Sequence, residues 1–136
     1  MEKRYRLRIG KRVVGYKREI SSRMVFYSKN EFWWNGQAIH HQQIDESTGL
    51  FDKNHKMIYE WDIVRFSLDS NESSEEGVVL WHSKEKCFGI KPINSSTNFV
   101  PFEVEGLSLF SPADLEIFSY LFLNPDIMIN LGLEDI

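Results

Sequence analysis

Four histidines, twenty aspartates and glutamates and one cysteine are the groups in this chain best suited to chemistry. His40 and His41 stand next to Asp45 and Glu46, which resembles the start of a metal site. Adjacent residues on a strand point to opposite faces, so the two imidazoles do not converge on one ion. No H-x-x-x-H or E-x-x-H spacing occurs, and these four read as polar strand-end residues. Cys87 precedes Phe88 in an apolar run, which predicts an inert, buried thiol. A single cysteine excludes an internal disulfide and any cysteine-based zinc cluster. There is no G-x-S-x-G elbow and no phosphate-cradling glycine loop. Asp52, Glu60 and Asp62 are the best-placed carboxylates, and a nuclease-like acidic site can be drawn on them. Each has a sufficient role in a turn. The residues therefore predict no catalytic group, no cofactor and no metal, and a protein that is not an enzyme.

The remaining candidate is a charge pattern. Arg4, Arg6 and Arg8 alternate with Tyr5, Leu7 and Ile9, the period of a half-buried strand with one basic face. Lys11 and Arg12 follow at a turn. Tyr16, Tyr27, Trp33 and Trp34 lie further on. Arginines on phosphates with aromatics on bases is how β-rich modules hold single strands. Arg4, Arg6, Arg8, Lys11 and Arg12 are thus the candidate nucleic-acid-binding residues. The competing reading makes the aromatics core and pairs the arginines with carboxylates of the same chain or a neighbouring copy. The totals favour it. Residues 1–30 hold ten Lys and Arg against two Glu, a net of +8, so the rest carries −12 to reach the overall −4. A basic front on an acidic body fits a protein partner or a second copy better than bulk attraction to DNA.

Short strands carry these groups. Residues 4–44 read as a β-meander: Tyr5–Ile9, then a strand from Val13 to Tyr16 broken by Gly15, then Met24–Tyr27, Phe32–Trp34, and Gln37–His41 pairing back across an Asn35-Gly36 hairpin turn. Ile63–Leu68 and Gly77–Trp81 flank a polar acidic loop, Asp69–Glu76. Cys87–Lys91 follows and ends at Pro92. Residues 94–98 are a loop, and Phe99–Val104 holds a short strand. Ser111-Pro112-Ala113-Asp114 has the residues of a helix start, whereas Ile117, Phe118, Tyr120 and Phe122 suit a strand. The favoured reading is one helical turn at 112–114, then a strand. A short helix over Asp126–Leu131 closes the chain, with Gly132 as its cap.

Thr48 to Val64 organises the sequence. Gly49 permits a bend. Asp52, Lys53, Asn54 and His55 form a polar turn. Met57-Ile58-Tyr59 is a short strand, and Glu60-Trp61-Asp62 is a corner before the β-branched Ile63-Val64. This stretch resembles the signature of the YopX-like family of phage and prophage proteins, roughly T-G-L-x-D-K-N-G-K-x-I-Y-E-G-D-I-V. Thr48, Gly49, Leu50, Asp52, Lys53, Asn54, Lys56, Ile58, Tyr59, Glu60, Asp62, Ile63 and Val64 match. His55 and Trp61 stand where the family has glycine, and both are costly residues at positive φ. Leu121–Met128, above all Asn124-Pro125, resembles a second family segment, and Gly77–Trp81 a third. Residues 1–44 match poorly. The resemblance implies a mainly-β fold with an SH3-like barrel element and no known reaction or cofactor.

The 136 residues fit one domain, with a basic meander over 1–44 and a barrel-like part with a C-terminal helix over 45–136. No run approaches the ~18 apolar residues of a membrane span, and the charged start is not followed by an apolar signal segment. The expectation is a cytoplasmic phage- or prophage-type accessory protein. It has no membrane contact, works through protein contacts and self-associates as a homo-oligomer. Nucleic acid is the alternative partner.

Overall fold

The computed structural model describes residues 2–21, 24–32, 37–67, 74–94 and 99–133. The chain forms two compact units, residues 1–47 and 48–136. The class is mainly β with antiparallel pairing and one short C-terminal helix.

The first unit is built on β1 (Lys3–Ile9), β2 (Arg12–Ser21), β3 (Met24–Ser28) and the first half of β4 (Gln43–Phe51), in the order β3-β2-β1-β4. It departs from a simple meander. Residues 37–41 form no strand. The strand that returns is β4, and it pairs with β1 on the edge away from β2, with Leu7 opposite Ile44 and Arg6 opposite Asp45. β2 occupies one edge of β1 and β4 the other, and the β4 register brings Asp45 to the arginines. Gly15 does not break β2. It lies opposite Leu7 beside a bulge, where a Cβ would come within 2.6 Å of the Ile39 side chain and 2.9 Å of the Ser28 carbonyl. Trp33, Trp34 and the Asn35-Gly36 turn lie outside the described residues, as do Arg23, most of the acidic loop (68–73) and residues 95–98.

The second unit begins in β4, where Gly49 sits at φ +81 within the strand, so the expected bend is absorbed by strand geometry. β5 (Met57–Tyr59) lies beside β4. A second sheet follows, with β6 (Asp62–Phe66), β7 (Glu75–His82), β8 (Cys87–Pro92), β9 (Val100–Pro101) and β12 (Leu115–Tyr120) in the order β12-β6-β7-β8-β9. Between its last strands stands a separate hairpin, β10 (Glu103–Val104) and β11 (Leu107–Ser108). The predicted SH3-like barrel does not close. Closure requires the edge strands to bond to each other, and here β12 and the two-residue β9 remain edges.

Both faces of this sheet are buried, because β6 and β7 carry consecutive apolar residues rather than strict alternation. Val64, Phe66, Val79 and Ile90 face one core with Ile58, Val100, Phe102, Phe110 and Leu115. Ile63 and Val78 face a second core with Leu121, against which Ile127, Met128 and Leu131 pack. That second face explains the C-terminal segment. Pro112–Asp114 is a single 3-10 turn, with the Ser111 N–H and Oγ both donating to Asp114 Oδ2. Pairing with β6 then makes Leu115–Tyr120 a strand, not a helix. The strand stops earlier than expected. Leu121–Leu123 tightens into a second 3-10 turn, which drops Leu121 into the core and leads into α1 (Pro125–Asn130). Gly132 follows at φ +69, as a helix cap requires.

Candidate functional site

The basic strand face is largely turned inward. Arg6 and Arg8 are each 2% exposed. Both close on Asp45, which β4 delivers to the middle of β1. Arg8 grips the carboxylate with two parallel bonds, Nε to Oδ2 and Nη2 to Oδ1, each 2.8 Å. Arg6 Nε donates to the same Oδ2 at 2.8 Å. Planar guanidinium is the group suited to such two-point pairing. Arg8 also donates to the Gly10 carbonyl through Nη1 at 3.1 Å, bracing the β1–β2 turn. Asp45 belongs to this knot rather than to His40 and His41.

Other cations of the same sheet are paired near its surface. Arg4 and Arg18 both reach Glu2. The hydrogen bond from Arg4 holds the Glu2 carboxyl below the ordinary carboxylate range, with Arg18 adding to it against the opposing effect of burial. Lys3 faces Glu46 at 3.8 Å and Lys17 faces Glu19 at 3.2 Å. Lys17 also lies 4.9 Å from the centre of the Tyr5 ring. Burial, then Glu19 and Glu46, push the Tyr5 hydroxyl above its ordinary value of 10.0. Lys11 and Arg12 differ, since both are exposed at the tip of the β1–β2 hairpin. Of the five candidate nucleic-acid contacts, then, two are buried in an ion cluster, Arg4 is paired with Glu2, and two present open charge.

The carboxylates of the organising stretch are bound by backbone. Asp52 is buried. Its Oδ1 accepts from the N–H groups of Asn54 and Lys56 at 2.9 and 3.0 Å, and its Oδ2 from that of Ile117 at 3.0 Å. One side chain thus closes the turn and ties it to β12. Asp62 Oδ2 accepts from Tyr59 N–H at 2.9 Å, closing the corner around Trp61. Thr48 Oγ1 donates to the Ile58 carbonyl at 2.9 Å and accepts from Leu50 N–H at 3.1 Å. His55 and Trp61 do adopt the left-handed region, at φ 61 and 74, so the turns keep a glycine-type geometry with bulkier residues. Trp61 gains packing against the second core, whereas His55 is exposed. The oxygens of Asp52 and Asp62 thus serve backbone N–H groups, three for Asp52 and that of Tyr59 for Asp62, a structural role at both turns.

His41 Nδ1 lies 2.8 Å from the Ile39 carbonyl, to which it donates, and His40 is exposed. Among the described residues, no group of three or more His, Cys, Asp or Glu side chains is placed to hold a metal ion. Cys87 is partly buried, and burial, then Glu85 and Glu103, push its thiol up, away from the reactive thiolate.

One surface feature escaped the sequence reading. Residues 103–109 are all exposed, between the buried Phe102 and Phe110. Glu105 and Gly106 turn the β10–β11 hairpin at φ 53 and 80, the geometry of a type I′ turn. Val104 pairs with Leu107, placing both on one face with Leu109, and the three are 46, 73 and 41% exposed. Edge-to-face contact between Phe102 and Phe110, 5.9 Å apart, anchors the base, as does the 2.8 Å bond from Leu109 N–H to the Phe102 carbonyl. The signal was the dipeptide Glu105-Gly106 between aliphatics, a weaker turn mark than Asn-Gly.

The family model described as YopX protein matches residues 9–108 of the chain. The match takes in the organising stretch and Gly77–Trp81 and begins well before residue 45. It ends ahead of the Asn124-Pro125 segment. No curated protein matches the chain.

Proposed function

The chain belongs to the YopX family, and we propose that it acts as a non-enzymatic accessory protein of phage or prophage type. It works in the cytoplasm through protein contacts and associates with copies of itself. The observation that carries this reading is the division of charge. Residues 1–47 hold ten Lys and Arg against five Asp and Glu, a net of +5. Residues 48–136 hold six against fifteen, a net of −9. Opposite fields on two parts of a small chain favour head-to-tail contact between copies. The non-enzymatic part rests on Asp52 and Asp62, the acidic residues best suited to chemistry, whose oxygens serve as turn acceptors.

Sedimentation velocity across protein concentration at low and high salt tests the association. Mass that rises with concentration and falls with salt is expected, and a monomer in both salts would end the reading. The non-enzymatic part is tested by heating the protein with and without Mg²⁺, Mn²⁺ or Zn²⁺. An unchanged melting temperature is expected, and a rise of several degrees would indicate a bound ion.

The alternative, nucleic-acid binding, keeps its footing in exposed Lys11 and Arg12. It predicts retardation of single- or double-stranded DNA at low salt that is lost in the Lys11→Glu/Arg12→Glu variant. Absence of any shift at low salt removes it.

A further inference from the structure

We infer that the β10–β11 hairpin is the docking finger of this self-association, and that it seats on the β1–β2 tip of a second copy. The inference rests on the self-association proposed above and names its two surfaces. The finger offers three aliphatic side chains on one face, Val104, Leu107 and Leu109, with the Glu105 carboxylate at its tip. Leu107, at 73%, is the most exposed large aliphatic residue among those described. Grouped side chains of this kind on a firmly anchored hairpin mark a contact surface more than a stray exposed leucine does.

The receiving surface has the complementary pattern. Lys11 and Arg12 are exposed at the tip of the β1–β2 hairpin, which is held by Arg8 on the Gly10 carbonyl and by Gly10 N–H on Gln43 Oε1. Arg12 pairs with Ile9, and Leu7, two residues before Ile9, pairs with Ile44. Arg12, Ile9 and Ile44 therefore share one sheet face, on which Ile44 is 47% exposed. Seating the finger there covers Leu107 with Ile44 and Ile9, and brings Glu105 to Lys11 and Arg12. The two surfaces differ, so each copy keeps one of each free for the next. Association of this kind extends beyond a dimer unless a ring closes.

The full chain is examined by sedimentation velocity as wild type, Leu107→Asp, Glu105→Lys and Lys11→Glu/Arg12→Glu. All four positions are exposed, and thermal melting confirms that each variant is folded. Each variant is expected to need about tenfold or more higher concentration to reach the wild-type mass. An equimolar mixture of Leu107→Asp with Lys11→Glu/Arg12→Glu restores one good finger-to-tip pair, while the Asp-bearing finger is repelled by the acidic tip, and it is expected to form a 1:1 complex at concentrations where neither associates alone. Wild-type-like association of the variants would overturn the finger while leaving self-association intact. A wild-type protein that stays monomeric in low and high salt would overturn both.

Discussion

At the residue scale, the fold turns on a few side chains that each satisfy several backbone or charged groups. Asp45 pairs with two buried guanidinium groups at once. Asp45→Ala would leave both without that carboxylate, and a buried charge stripped of its partner costs about 3–5 kcal/mol. The expected result is a matching fall in unfolding free energy in a urea titration. His55 supplies the opposite case. It is an exposed side chain held at φ 61, a conformation that costs an L-residue about 1–2 kcal/mol. His55→Gly removes that strain and gives back part of it through the freer unfolded chain, so stability should rise by about 0.5–1 kcal/mol.

Two groups of this sheet titrate away from their ordinary values, with opposite consequences for stability. The Tyr5 hydroxyl is pushed up in the folded state, chiefly by burial. Its contribution is complete below the unfolded value and is lost as pH rises through the folded one. Tyr5→Phe should therefore flatten the alkaline loss of stability in melting curves taken from pH 9 upward. Glu2 works in the opposite direction. Its lowered value gives a contribution present at neutral pH and lost as pH falls through the folded value, and its exposure keeps that contribution small.

At the element scale, the hairpin over residues 103–109 and α1 show two uses of a short segment. α1 has six residues, too few to be stable alone, and it exists because Ile127 and Met128 cover Ile63 and Val78. The hairpin is exposed from 103 to 109, so beyond its anchored base its turn holds the two short strands together. Gly106 has open space where a Cβ would lie, but its φ is +80. Gly106→Ala should therefore cost about 1 kcal/mol from backbone conformation alone. Amide exchange should show the opening concentrated at residues 103–109, with β6 and β7 still protected.

At the scale of the whole molecule, charge is divided between two units of +5 and −9. Contacts between exposed groups weaken as the Debye length shrinks from about 30 Å at 0.01 M salt to about 3 Å at 1 M. Raising salt from 25 mM to 500 mM should lower the association constant on the order of tenfold, mainly through slower encounter. An association that strengthens with salt would point to the aliphatic contact as its main source, with charge acting only as a guide.

The amino-acid order alone determined the local pieces. Gly49 and Gly132 lie where the backbone needs a positive φ, Asp52 and Asp62 fall where turns need an acceptor, and β-branched runs such as Ile63-Val64 and Val78-Val79 became strands. These features depend on neighbours a few residues away, and such neighbours are visible in a sequence. Tertiary structure decided the rest. Alternation in β1 predicted a basic face but could not say what would meet it. The answer, Asp45, comes from 37 residues beyond Arg8. In the same way, Ser111–Asp114 could have opened a helix, and it was the free edge of β6 that drew residues 115–120 into a strand. A carboxylate that crosses the sheet and an edge that must be paired are both long-range demands, and no window of sequence contains both partners.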